Sequence, residues 1–180
     1  MSRIGKVPIA IPRGVEVTID AGADVRVRGP KGENTISTRG QVTVRKEDGR
    51  LRVSRRSDQA RDKALHGLYH RLITNALTGV TAGYRRELQI MGVGYKAEMQ
   101  GQELVLSVGR SHPERFRPPD GVKIEVPEPT RVVLTGVDKG SVHQCAAQIR
   151  AICPPEPYKG KGIRHLNESV RRKVGKTGVK

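Results

Sequence analysis

The chain has 180 residues, with 34 Lys or Arg against 18 Asp or Glu and a formal net charge of +16. Such an excess calls for a polyanionic partner, nucleic acid ahead of an anionic membrane surface, and the length allows one or two domains with real cores. No 18 consecutive residues are apolar, and Met1-Ser2-Arg3-Ile4-Gly5-Lys6-Val7-Pro8 lacks the apolar stretch of a secretory signal, so neither a helical membrane span nor a membrane partner is expected and a cytoplasmic location is.

The first residues, with Pro8 and Pro12, read as an extended lead-in. Period-two alternation then begins. Val15, Val17 and Ile19 share one face, Asp20-Ala21-Gly22 turns, and Val25 and Val27 alternate with Arg26 and Arg28. Gly29-Pro30-Lys31-Gly32 is a strong turn signal. Short strands follow at 35–38, 41–46 and 50–54, the last two joined by an Asp48-Gly49 hairpin turn. Residues 15–54 therefore read as one antiparallel meander with one apolar face.

The period then changes. Ser57-Asp58 is a candidate helix N-cap, and Leu65, Leu68, Leu72, Ile73, Ala76, Leu77 and Val80 recur at three- and four-residue spacing. This predicts an amphipathic helix over 58–78, closed by Gly79 or Gly83. The second half repeats the plan. Strands are expected at 85–91, 95–100, 103–108, 115–117, 122–126 and 131–134. Asp138 then caps a helix whose stripe is Val142, Cys145, Ala146, Ile149 and Ile152, and which ends at Pro154-Pro155. Strands followed by one helix, twice over, predict an α+β fold: two similar small domains, each an antiparallel sheet packed by one helix, plus a basic C-terminal extension. The expected divisions are 1–81, 82–157 and 158–180.

Charge is divided unevenly among these pieces. Residues 1–81 carry +8, spread along strands at Arg26, Arg28, Arg45, Arg50 and Arg52, which reads as a solvated face. Residues 82–157 carry only +1. Residues 158–180 carry +7, from eight cations against the single acid Glu168. With four glycines and few apolar residues, this last segment is expected to stay unfolded alone and to order against phosphates. Lys159, Lys161 and Arg164 follow Tyr158, and Arg171, Arg172 and Lys173 form a second cluster. Arg150 is read as a cation at a helix C-terminus. Four Tyr, one Phe and no Trp disfavour base stacking as the main grip, which leaves recognition of RNA backbone and shape.

Catalytic and cofactor signals are poor. Gly92-Val93-Gly94-Tyr95-Lys96-Ala97 fits GxGxxA, but the pattern continues as a strand where a dinucleotide site opens a helix, so the glycines are assigned to a bulge or turn. His66 and His70 stand at i, i+4 without the glutamate of a zinc-protease motif or an evident third ligand, and are read as one packed and one solvated histidine. Cys145 and Cys153, roughly 12 Å apart along a helix, are too far for a disulfide and are expected to be small buried hydrophobes. Asn167-Glu168-Ser169 is a glycosylation sequon without a secretory context. No GxSxG or P-loop pattern occurs. No cofactor, metal, small-molecule substrate or enzymatic activity is expected. A free-standing nucleic-acid binder fits the composition as well, and an enzyme on a polyanion would need an acid–base or metal cluster.

Several stretches taken together resemble one family. MSRIGKVPI, VRGPKGE, ALHGLYHRLITNALTGVTAGY, ELQIMGVGYKAE, GRSHP, VPEPTRVVLTGVDK and PEPYKGKGIRHLNESVRRKVGK, in this order along the whole chain, look like bacterial large-subunit ribosomal protein six. The resemblance implies two similar α+β domains and a structural role in the large ribosomal subunit, supporting translation. It implies contact with large-subunit rRNA near the sarcin–ricin region and the base of the factor-binding stalk, with neighbouring ribosomal proteins there. The residues it implicates are Tyr158, Lys159, Gly160, Lys161, Gly162, Arg164, Arg171, Arg172, Lys173, Gly175 and Lys176, joined by Ser111 and His112 of the SHP loop. The chain departs from the family pattern at Arg110, where an aromatic usually precedes SHP, at 140–145 of the second helix, and at Ala151-Ile152-Cys153, usually more basic.

Overall fold

The computed structural model describes residues 5, 7–20, 24–47 and 49–176. Residues 21–22 of the Asp20–Gly22 turn, Asp48 of the Asp48–Gly49 turn and the end of the basic segment, 177–180, lie outside these. Two compact units emerge: one holds the chain through Tyr84 together with Val137–Lys139, the other Arg85–Gly136 and the chain from Gly140 on.

The first unit has six strands and one helix. β1 is Ile9–Ala10, β2 Glu16–Ile19, β3 Asp24–Gly29, β4 Gly32–Ser37, β5 Val42–Glu47, β6 Arg50–Arg55, and α1 Ala60–Thr81. The strands form two three-stranded antiparallel sheets, ordered β2-β3-β4 and β1-β6-β5. This corrects the single meander. The break falls at Arg39 and Gly40, two successive left-handed residues (φ 48° and 61°) closed by the Gln41 N–H donating to Thr38 O. β1 escaped the sequence because two residues between prolines carry no period.

Val17, Val25, Val27, Val42, Val44, Leu51 and Val53 point inward to α1, as the alternation requires. The helix presents Tyr69, Ile73, Ala76, Leu77 and Val80 to them, flanked by His66 and His70. Two expectations are corrected here. Leu68 and Leu72 are exposed, because the two histidines belong to the inward stripe and shift its phase. Both histidines are buried. Each Nε2–H donates to a carbonyl, His66 to Val53 at 2.8 Å and His70 to Val7 at 2.9 Å, so they fasten β6 and the N-terminal segment to the helix. The N-cap is Gln59, without a side-chain bond, while Ser57 and Asp58 engage Asp62 and Arg55. Gly83, at φ 76°, receives the chain after the helix, the role of a left-handed C-terminal glycine.

The second unit repeats the ingredients. β7 is Tyr84–Met91, β8 Lys96–Gln100, β9 Glu103–Ser107, β10 Glu114–Phe116, β11 Val122–Glu128, β12 Arg131–Gly136, α2 Lys139–Ile152 and β13 Gly162–His165. Here too there are two sheets, β10-β9-β8 and β11-β12-β7-β13. α2 buries Val142, Cys145, Ala146 and Ile149, the expected stripe, with Ile152 half-buried. Both cysteines are free, and burial pushes the Cys145 thiol up to about 11. Gly92–Gly94 is a turn between β7 and β8, not the start of a helix.

The largest departure is β13. The segment after Pro157 was expected to stay unfolded, yet Gly162, Ile163, Arg164 and His165 pair antiparallel with Met91, Ile90, Gln89 and Leu88 of β7. Ile163 is fully buried. A fourth strand on an existing sheet needs no core of its own. Glycine content and charge decide whether a segment folds alone, not whether it can add to a sheet already formed.

Candidate nucleic-acid interface

The basic segment leaves α2 at Cys153 and is fastened at four points. The Ile163 N–H donates to Cys153 O at 2.7 Å, beside the β13–β7 ladder. The Glu156 N–H donates to Lys161 O at 2.9 Å. The Lys173 N–H donates to Pro157 O at 2.7 Å, which closes 157–173 into a loop. Finally, Arg150 grips Glu168 with two bonds, Nε to Oε2 at 2.9 Å and Nη2 to Oε1 at 2.5 Å, while Oε2 also accepts from the His165 N–H. This two-pronged geometry is the strong form of an ion pair. The bond from Arg150, helped by the His165 N–H and opposed by burial, lowers the Glu168 carboxyl to about 2. Arg150 is thus more than a cation near a helix end, and the only acid of the segment is used in fastening it.

Gly162 is where this route is tightest. At φ 132°, an added Cβ would lie 2.6 Å from Pro154 O and 2.8 Å from Cys153 O, so the backbone of the strand lies directly on the chain leaving the helix. At Gly160 the neighbour is different. An added Cβ there would lie 3.1 Å from Nη2 of Arg172. The Arg172 guanidinium therefore lies over the backbone between Lys159 and Lys161, and residues thirteen apart in sequence form one exposed cation cluster.

Ser111 and His112 reach the same end of the unit. Arg110 donates from Nη2 to Ile152 O at 2.7 Å and from Nη1 to Glu114 at 2.6 Å, tying the SHP loop to the last turn of α2. One residue on, Cys153 O accepts from Ile163. The departure at Arg110 thus has a structural role, capping an orphan carbonyl at a helix C-terminus. The side chain of Tyr95 packs between Gly92 and Gly109, where added Cβ atoms would lie 2.8 Å from its ring and 2.8 Å from its hydroxyl, and joins the β7–β8 turn to this cluster of loops. Val93, 95% exposed, stands at that turn's tip.

The site residues therefore sort as follows. Tyr158, Lys159, Lys161, Arg172, Lys173, Ser111 and His112 are exposed and gathered around the C-terminal end of α2. Gly160 and Gly162 are buried and permit the close approaches just described. Arg164 is half-buried and donates to Gln89 Oε1 at 2.9 Å, so its guanidinium serves the β13–β7 pairing. Arg171, Gly175 and Lys176 are exposed, and among the described residues no hydrogen bond or ion pair draws them into the cluster. An added Cβ at Gly175 would meet nothing, so close packing does not require that glycine. Sequence reading missed Arg110, Tyr95 and the Arg150–Glu168 pair. One acid alone in a segment of +7 was the available signal for the last.

Among the described residues no group of three or more His, Cys, Asp or Glu could hold a metal, and no helix is long and apolar enough to cross a membrane. What fold and surface define is a double α+β protein that fastens its one C-terminal acid and leaves the surrounding cations outward. The sequence model of the ribosomal protein L6 family matches twice, over residues 11–83 and 91–165. The second match ends on His165, the last residue of β13. A protein of Rubrobacter xylanophilus, a large ribosomal subunit protein uL6, is 55% identical over 178 residues, 99% of this chain and 100% of its own length. Proteins of the same description from Moorella thermoacetica and Thermomicrobium roseum are each 52% identical, covering 100% and 99% of this chain and 98% and 97% of their own. The chain belongs to the ribosomal protein L6 family, whose members are structural and non-enzymatic.

Proposed function

We propose that the chain, a constituent of the large subunit of cytoplasmic ribosomes, docks on large-subunit rRNA through the C-terminal end of its second unit. The observation that carries this reading is the cluster of Lys159, Lys161 and Arg172 over Gly160. None of the three has an ion pair among the described residues, and Glu168, the acid of the segment itself, is held by Arg150. Phosphate contacts by such cations release counterions, and the glycine backbone between them allows close fit to RNA shape. Tyr158, Ser111 and His112 line the same end and supply hydroxyl and ring N–H groups for sugar and phosphate oxygens. Lys173, Arg171 and Lys176 extend the cationic surface along the chain. The region contacted is the neighbourhood of the sarcin–ricin sequence and the base of the factor-binding stalk, with ribosomal proteins there as neighbours. The contribution to translation is to hold that RNA in place.

The test is a salt titration of binding to large-subunit rRNA, with duplex DNA as competitor, for the natural chain and for Lys159→Gln/Lys161→Gln/Arg172→Gln. The three exposed changes are expected to leave Tm nearly unmoved and to flatten the log–log salt slope by about 2–2.7, from roughly 0.7–0.9 per phosphate contact. An unchanged slope would remove the cluster from the interface. Equal competition by DNA would favour a general nucleic-acid binder.

A further inference from the structure

The two sheets of the first unit treat their outward arginines in opposite ways. On β2-β3-β4, Arg28 lies in register between Glu16 and Glu33, and Arg26 reaches Asp20 at 3.4 Å and Glu33 at 3.6 Å. That face neutralises itself. On β1-β6-β5, Arg45 stands directly opposite Arg52. Like charges directly opposite across an antiparallel pair destabilise it. Among the described residues the only acid on this face is Glu47, opposite Arg50 and 3.6 Å from Arg52, so Arg45 has no ion pair there. Pro8, Glu47, Arg50 and Arg52 line a cleft of about 410 Å³. Arg50 and Arg52 project two residues apart on one strand, about 6.7 Å along it, and Arg45 stands beside Arg52.

We propose that this outer face of β5 and β6 is a second RNA-backbone site, separate from the C-terminal one, with Arg45, Arg50 and Arg52 as its phosphate contacts. Solvation alone accounts for the neutralised sheet, but not for two arginines set face to face with one acid between three cations. A phosphate between the Arg45 and Arg52 guanidinium groups turns mutual repulsion into two charge-assisted hydrogen bonds. The face thus costs the free chain stability and returns it on binding, so stability and affinity should move in opposite directions when one arginine is neutralised.

The experiment uses the full chain and a transcript of large-subunit rRNA. Arg45→Gln is compared with Arg28→Gln, which makes the same change in net charge on the neutralised sheet. Arg45→Gln is expected to raise Tm by about 1–2 °C through loss of the cross-strand repulsion. It should also weaken rRNA binding roughly five- to eightfold at 0.1 M salt and flatten the salt slope by about 0.7–0.9. Arg45→Gln/Arg52→Gln should flatten the slope by about twice that. Arg28→Gln should leave the slope unchanged and not raise Tm. The proposal is overturned if the Arg45 and Arg52 changes leave slope and affinity as in the natural chain. It is equally overturned if Arg28→Gln weakens binding as much, since the effect would then be one of net charge. The triple substitution at Lys159, Lys161 and Arg172 is scored separately, so either site can fail without the other.

Discussion

Each unit must hold one terminal segment of the chain, and the two do it with different chemistry. The first holds the N-terminal segment from inside. Buried partners do the work: the His66 and His70 imidazoles donate to Val53 and Val7 carbonyls, and Ile9–Ala10 pairs with Leu51 and Arg50. The second holds the C-terminal segment at a sheet edge, by the β13–β7 ladder and by Arg150 on Glu168. The first fastening is made by imidazole and backbone groups. The second spends one cation of α2 and one acid of the segment and leaves Lys159, Lys161, Arg171, Arg172, Lys173 and Lys176 outward. The difference teaches that a strongly basic segment can be folded with most of its cations left outward, so that their charge remains available to RNA.

Three substitutions break or sharpen this contrast. The largest effect is expected from Ile163→Ala. The side chain is fully buried, and truncating such a residue typically costs about 2–5 kcal/mol. Urea denaturation should show that loss, and limited proteolysis should then cut the basic segment first. Next is His70→Ala, which removes the bond to Val7 O and leaves a carbonyl to be satisfied by water, a loss on the order of 1–3 kcal/mol. It should lower Tm yet leave the rRNA salt slope unchanged, since no cation is touched. A flattened slope there would show that the two fastenings are not independent. The smallest of the three is Glu168→Gln, about 1–2 kcal/mol for a part-buried, two-pronged pair. This pair also sets a pH dependence. Its carboxyl is lowered from 4.5 to about 2. Its contribution is therefore complete above about pH 4.5 and is lost as pH falls toward 2. Stability measured over that window should fall more steeply in the natural chain than in Glu168→Gln; identical slopes would mean the pair contributes nothing in solution.

How much of this was legible can be judged residue by residue. Alternation at Val25/Val27 and spacing at Val142, Cys145, Ala146 and Ile149 gave strands and a helix in their right places, because those faces bury one uniform kind of side chain. The phase of α1 was misjudged because His66 and His70 count as polar in any hydropathy pattern. Only the carbonyls of Val53 and Val7, brought in from elsewhere, make them core residues. β1 and β13 were invisible for a related reason. Each is short, and each exists only as the partner of a strand far along the chain, Leu51 for Ile9 and Ile90 for Ile163. At the interface, the cations were read directly from composition. That Arg172 lies over Gly160, and that Arg110 caps Ile152, are long-range contacts with no local pattern to announce them.

The most direct test of the central claim is amide hydrogen exchange of residues 158–176 in the free chain, without RNA. If the basic segment is a built-in strand with its cations left over, the Ile163 N–H, bonded to Cys153 O, and the amides that pair β13 with β7 should exchange about a hundredfold or more slower than unstructured amides, while Arg171 and Lys176 exchange fast. Exchange at unstructured rates across 162–165 would contradict the account and return the segment to a tail that orders only on RNA.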